Sequence, residues 1–172
     1  MAEAWRRIAR LRVPLGFAAG VLVLWLATPT PGLLAIGTAV AIAGEGIRVW
    51  AAGHLEKSRE VTRSGPYRWS RHPLYAGSAL MGAGVAIAGN SAIAAAAICL
   101  YLAVTMAAAI RTEEAFLRGK FGSEYDAYCR GASRAPDRRF SVARAWRNRE
   151  YRAILGMSAV FAILALKALY LD

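Results

Sequence analysis

The sequence predicts an all-α fold, a polytopic membrane bundle of about five transmembrane helices with short helices on the cytoplasmic side. Its composition is both apolar and basic: 57% of the 172 residues are hydrophobic, and the formal net charge is +11. The charge is also segregated, because 19 of the 22 Lys and Arg residues fall in three blocks, at 1–12, 53–72 and 111–150. Membrane proteins confine basic residues to their loops in this way, whereas a nucleic-acid binder carries them on one folded surface. We therefore expect membrane lipids as partners and no nucleic acid.

The apolar segments between these blocks have the length of membrane spans. A helix needs roughly 20 apolar residues to cross a bilayer, and each segment approaches that length with its flanking turn. Breakers rich in Pro, Gly and Asn separate the first span from the second and the third from the fourth. The predicted spans, in a single domain covering residues 1–172, are 13–27, 33–52, 73–88, 92–110 and 151–171.

The loops differ in charge in a way that predicts orientation. Links 28–32 and 89–91 contain no Lys or Arg, whereas segments 53–72 and 111–150 are strongly basic. The positive-inside rule then places the N-terminus and both basic segments in the cytoplasm and the C-terminus outside. In a bacterial cell this would be the inner, or plasma, membrane.

Two groups of charged residues allow more than one interpretation. Glu45 and Arg48 are three residues apart in the second span and so share a helix face. They would form either a structural ion pair or the wall of a polar site, because charges at membrane depth face the bundle interior. Residues 134–149, called here the basic segment, would lie at the headgroup interface or, alternatively, contribute to a ligand site.

The polar stretch 64–77 is the part of the chain that best suits a functional site. Pro73 predicts the start of a helix, with Arg71 and His72 held just before its N-terminus. Unpaired N–H groups there favour a carboxylate or phosphate. Gly77, on the next turn, leaves room for a ligand or another backbone.

The short link at 89–91 makes the third and fourth spans an antiparallel hairpin. His72 and Tyr75 at the start of one span should therefore lie beside Glu113 and Glu114, which follow the other. The residues alone predict a polar pocket at the cytoplasmic side. Two histidines are too few for a typical all-histidine metal site, so we expect no metal.

Two motifs carry a resemblance to a known family. Residues 65–77 (Gly-Pro-Tyr-Arg-Trp-Ser-Arg-His-Pro-Leu-Tyr-Ala-Gly) resemble a signature of the isoprenylcysteine carboxyl methyltransferase family. Residues 113–128, with Glu-Glu, Phe-Gly and two tyrosines in the same order and spacing, are similar to that family's second signature. Phospholipid N-methyltransferases share much of this pattern. The resemblance implies S-adenosylmethionine as methyl donor and S-adenosylhomocysteine as product.

The resemblance also implies roles for individual residues. His72 would contact the methionine part of the cofactor, and Glu113 or Glu114 would pair with a cationic or hydroxyl part. Arg71 and the two glutamates are the implied catalytic residues. The other interpretation of both carboxylates is stabilisation of the first turn of a helix predicted at 112–120. The implied cofactor-binding residues are Tyr67, Arg71, His72, Pro73, Tyr75, Gly77, Glu113 and Glu114.

The function implied is methyl transfer to a lipophilic small molecule or lipidated acceptor, with a carboxylate as the favoured acceptor group. An ethanolamine phospholipid, methylated on nitrogen, is the alternative. Two further hypotheses are an NADPH-dependent enzyme resembling sterol reductases and a non-enzymatic membrane protein. The oligomeric state is left open.

Overall fold

The computed structural model describes the backbone of residues 2–132 and 138–171 and the side chains of residues 14–132 and 138–170. Predictions for the basic N-terminal block and for Arg134 lie outside the described side chains. The helices are α1 (Ala2–Leu26), α2 (Pro31–His54), α3 (Pro73–Gly89), α4 (Ala92–Phe121), α5 (Ser123–Cys129), α6 (Val142–Arg147) and α7 (Tyr151–Leu171), with a short 3-10 helix at Gly65–Arg68.

The predicted all-α membrane bundle is confirmed, and every predicted span falls on a helix. Within the described residues, three helices are long and apolar enough to cross a bilayer, namely α2, α4 and the Tyr151–Tyr170 part of α7. The apolar parts of the other two, Pro14–Leu26 in α1 and Pro73–Gly89 in α3, are shorter. The number of five spans therefore stays a prediction.

The two uncharged links meet at one end of the bundle. The Thr28 N–H donates to the Gly89 carbonyl at 2.8 Å, and the Asn90 side chain donates to the Thr28 carbonyl at 3.1 Å. Asn90, with a left-handed φ of 48°, ends α3, and the Ser91 hydroxyl caps α4. Because α3 and α4 form an antiparallel hairpin, the start of α3 lies at the opposite end of the bundle from these links.

Helices α2 and α3 pack closely against each other at two pairs of glycines. A Cβ added to Gly44 would lie 2.7 Å from the Gly77 carbonyl oxygen, and one on Gly84 would lie 2.5 Å from the Gly37 carbonyl oxygen. Small residues allow such backbone contact between membrane helices. This packing fixes α3, and with it the polar residues at its start, against α2.

Helix α4 continues without a break past the predicted end of the fourth span. It runs from Ala92 to Phe121 and ends at Gly122, whose φ is +49°. The predicted helical conformation of residues 112–120 is therefore confirmed, whereas a separate start of that helix at 112 is wrong, because no Gly or Pro interrupts the chain there. Glu113 and Glu114 lie well inside α4, so the interpretation that they stabilise a first helical turn is also wrong.

The described part of the basic segment packs on the protein itself. Arg138 forms an ion pair with Glu60, and the Arg144 Nε donates to the Glu56 carboxylate at 2.8 Å. The hydrogen bond from Arg144 lowers the pKa of Glu56. These two arginines therefore hold the segment against the loop after α2, and its place at the headgroup interface stays a prediction.

Candidate active site

A sharp turn positions the start of α3. Gly65 adopts a φ of +58°, which favours glycine, and Pro66 follows in the first turn of the 3-10 helix. Pro73 is the first residue of α3, as predicted, and His72 is its N-cap residue. Proline starts a helix well because its fixed φ suits that position and its missing N–H has no partner to lose. Tyr75 consequently lies on the first turn of α3.

The polar residues of α3 and α4 contact each other across the hairpin. The Tyr75 hydroxyl donates to the Glu113 Oε2 at 2.9 Å. The His72 Nε2 lies 3.1 Å from the Glu114 Oε1. The predicted proximity of the two motifs is therefore confirmed, whereas their role in binding a cofactor stays a prediction.

Glu114 is contacted by nitrogen atoms of three side chains. In addition to His72, the Arg71 Nη1 lies 3.3 Å from its Oε1, and the Arg118 Nη1 lies 3.6 Å from its Oε2. Glu113 accepts the hydrogen bond of the Tyr75 hydroxyl, and a carboxylate offers about four acceptor sites in all. Glu114 is thus largely satisfied by the protein, and Glu113 retains acceptor capacity.

Helix α5 packs over this network and brings the tyrosines of the second motif to it. Tyr125 is buried, and the Tyr128 hydroxyl donates to the Tyr67 carbonyl at 2.8 Å. The Arg71 Nη1 lies 3.5 Å from the Cys129 sulfur. Tyr125 and Tyr128 belong to the second motif, but neither their contacts nor those of Arg118 follow from the sequence.

Tyr67 is buried beside the same network. Its hydroxyl has no hydrogen-bond partner in the described part of the chain. Burial raises the pKa of Tyr128 to about 12 and also raises the pKa of Tyr67 and of Tyr125. All three phenols therefore stay protonated near neutral pH, where they can donate hydrogen bonds but cannot act as bases.

Two of the predicted site residues, Gly77 and Pro73, pack within the protein. Gly77 faces α2, where an added Cβ would lie 2.6 Å from the Gly44 carbonyl oxygen and from the Arg48 Cγ. Its predicted close approach is therefore to another backbone. Pro73 is buried at the first position of α3. Three other predicted cofactor-binding residues contact Glu113 or Glu114 through their side chains. They are Arg71, His72 and Tyr75.

Arg48 links α2 to α3 and α7. Its Nε donates to the Glu150 Oε1 at 2.6 Å, and its Nη1 donates to the Ser78 hydroxyl and, at 3.4 Å, to the Leu74 carbonyl. The predicted pairing of Arg48 with Glu45 is therefore wrong, because Arg48 reaches a partner 102 residues away in sequence. Leu74 and Ser78 flank Tyr75, so Arg48 also braces the turn of α3 that carries the site.

An apolar cavity of about 360 Å³ begins next to this brace. Side chains of α1, α3, α4 and α7 line it, and Arg48 and Ser78 are among its few polar residues. Ser78 is three residues after Tyr75, which is a rise of about 4.5 Å along a helix. The cavity therefore lies about one helical turn from the contact between Tyr75 and Glu113. Its apolar lining includes Val23, Val85, Ile98, Leu102, Met157 and Val160.

Comparison with known proteins gives a single family. No curated protein and no solved structure matches the chain. The model of the family described as phospholipid methyltransferase matches residues 30–124, which include α2, α3, α4 and most of both motifs. That match covers more than half of the chain, and it joins the segments that meet at Glu113 and Glu114. The chain therefore belongs to the phospholipid methyltransferase family and is a membrane methyltransferase.

Proposed function

We propose that this methyltransferase uses S-adenosylmethionine and transfers its methyl group to a lipophilic acceptor. One observation carries the proposal: the two motifs meet across the α3–α4 hairpin, at the contacts of Tyr75 with Glu113 and of His72 with Glu114. The family supports the reaction type, and the motifs support the methyl donor.

The residues present fit such a donor. A buried Tyr67 hydroxyl without a partner among the described residues and the further acceptor sites of the Glu113 carboxylate offer hydrogen-bonding capacity at the same place. The donor carries an ammonium group and ribose hydroxyls, which are natural partners for a carboxylate. We assign this contact to Glu113, because Glu114 is already engaged by Arg71, His72 and Arg118. Glu114 then positions Arg71 and His72.

The protein's contribution to the reaction is alignment and exclusion of water. When bound, S-adenosylmethionine supplies an electrophilic methyl group. A carboxylate acceptor, which the sequence favours, is ionised at neutral pH and needs no base. An amine acceptor, the alternative, must first lose a proton, and one carboxylate of the pair Glu113 and Glu114 would accept it. The phenols cannot, because they stay protonated.

The apolar cavity supports a lipophilic acceptor. It lies about one turn from Tyr75 and has room for part of a hydrocarbon chain, about 360 Å³. A chain in this cavity would place a polar head near Arg48 and Ser78, towards Glu113. Burial of apolar surface would supply most of the binding free energy.

We also propose that the site faces the cytoplasm and that the C-terminus is outside. The positive-inside rule supports this orientation, since the two links that lack Lys and Arg hydrogen-bond to each other at the opposite end from His72.

Transfer of a radiolabelled methyl group tests the proposal. Purified protein in lipid nanodiscs, incubated with methyl-labelled S-adenosylmethionine and a lipid extract, should label a lipid, and S-adenosylhomocysteine should inhibit the labelling. A base-labile product indicates a methyl ester, and a base-stable product indicates an amine. No labelling, together with no binding of S-adenosylhomocysteine in calorimetry up to millimolar concentration, would contradict the proposal, and quenching of NADPH fluorescence on mixing would favour the reductase hypothesis.

A further inference from the structure

A second recess lies between α2 and α7. This α2/α7 groove has a volume of about 720 Å³ and is lined almost entirely by apolar side chains of the two helices and of Phe140. Ile42 and Ile154, on its walls, are 66% and 42% exposed. Both α2 and α7 are long and apolar enough to span a bilayer, so in a membrane the groove would open towards lipid.

Glu45 is the one ionisable residue among those that line the groove. Both of its carboxyl oxygens are shielded from solvent and have no hydrogen-bond partner among the described residues. Arg48, the cation on the same helix face, is committed to Glu150 and Ser78. The Thr38 hydroxyl, which also lines the groove, donates to the Leu34 carbonyl of its own helix. The groove therefore holds a carboxyl group to which no described residue donates a hydrogen bond.

A carboxyl group in this position is costly unless a donor reaches it. Ionisable residues at membrane depth normally pair with another group or serve a site. A donor that enters from the bilayer must be attached to a hydrocarbon chain, because the groove walls are apolar. Aromatic rings of Trp50, Phe140 and Phe161 lie in the same groove, and aromatic faces attract ammonium groups.

We propose that the α2/α7 groove binds an amphiphile with a single hydrocarbon chain and an ammonium group, which pairs with the Glu45 carboxylate. This site is distinct from the candidate active site, which α3, α4 and α5 form. The proposal does not depend on methyl transfer, because it rests on the charge and aromatic character of the groove alone.

The groove has space beside Glu45 that a mutation can fill. A Cβ added to Gly46 would meet no atom within 4 Å, and the same is true of Gly156 on α7. Gly46 lines the groove, whereas Gly156 is not among its lining residues. Gly46→Leu should therefore block the groove without disturbing the fold, and Gly156→Leu is its matched control.

The experiment measures binding of a dodecylammonium probe to the full chain in nanodiscs by native mass spectrometry. Dodecanol and dodecanoate serve as probes of the same chain length. We expect the ammonium probe to bind wild type at least about 10-fold more tightly than either, as a charge-assisted contact implies. Glu45→Gln and Gly46→Leu should each remove that preference, and Gly156→Leu should keep it.

Labelling of Glu45 by the hydrophobic reagent dicyclohexylcarbodiimide provides a second readout. Peptide mapping should find the adduct on Glu45, and the ammonium probe should protect it while dodecanol does not. Equal binding of the three probes, an unchanged preference in Glu45→Gln, or an absence of labelling at Glu45 would each overturn the proposal. Binding of S-adenosylhomocysteine by the same variants would still report separately on the proposed function.

Discussion

Replacing Glu113 with Gln is expected to weaken binding of S-adenosylhomocysteine about 10- to 100-fold while leaving thermal stability close to that of wild type. Hydrogen bonds to charged groups contribute about 1.5–3 kcal/mol, which corresponds to this range. The amide oxygen of the substituted side chain can still accept the hydrogen bond that the Tyr75 hydroxyl donates at 2.9 Å, so the hairpin contact remains. Isothermal titration calorimetry in detergent measures the affinity, and a thermal unfolding scan measures the stability.

Glu114→Gln is the matched control for Glu113→Gln, because Glu114 is the adjacent residue and has different partners. This change removes the negative charge that faces His72, Arg71 and Arg118. We expect a lower melting temperature from this variant and a smaller direct loss of affinity than from Glu113→Gln. If Glu114→Gln lost affinity and Glu113→Gln did not, the two roles would have to be exchanged. If neither variant changed affinity, the carboxylates would not contact the ligand.

Replacing Arg48 with Ala is expected to destabilise the protein by about 3–5 kcal/mol, because it leaves a buried carboxylate without its partner. Glu150 is only 5% exposed, and Arg48 is the residue that pairs with it, at 2.6 Å. The same variant removes the donors to Ser78 and Leu74 that brace the first turns of α3. Equilibrium unfolding in mixed micelles of sodium dodecyl sulfate and a mild detergent measures the change.

Two controls separate the buried charge from a general loss of contacts. The double variant Arg48→Gln/Glu150→Gln removes both charges and keeps two polar groups, so its cost should be nearer to about 1 kcal/mol. Arg59→Ala breaks an ion pair whose arginine side chain is 77% exposed, and exposed pairs contribute at most about 1 kcal/mol. Equal destabilisation by the single and double variants at 48 and 150 would contradict this explanation.

The sequence predicts local features of this fold better than distant contacts. Helix starts follow from residues such as Pro73, and the hairpin follows from a link too short for any other arrangement. The pairing of Arg48 with Glu150 could not be predicted, because the sequence alone makes Glu45, three residues away on the same helix face, an equally good partner. The three-dimensional arrangement of α7 decides between them.

In the candidate site, too, some contacts can be predicted from the sequence and others cannot. The proximity of Tyr75 to Glu113 follows from topology, since the two helices must run antiparallel. The contacts around Glu114 do not follow from topology, because Arg118 is one helical turn further along α4 and is not part of the motif. The burial of the Tyr67 hydroxyl does not follow from topology either, because it depends on how α5 packs over the loop.

Direct ultraviolet photolabelling with methyl-labelled S-adenosylmethionine measures most directly where the donor binds. Our account predicts a covalent label on peptides from residues 65–77 or 113–128 and its loss when S-adenosylhomocysteine is added in excess. Label found only on α1 or α7, or label that S-adenosylhomocysteine does not displace, would contradict it.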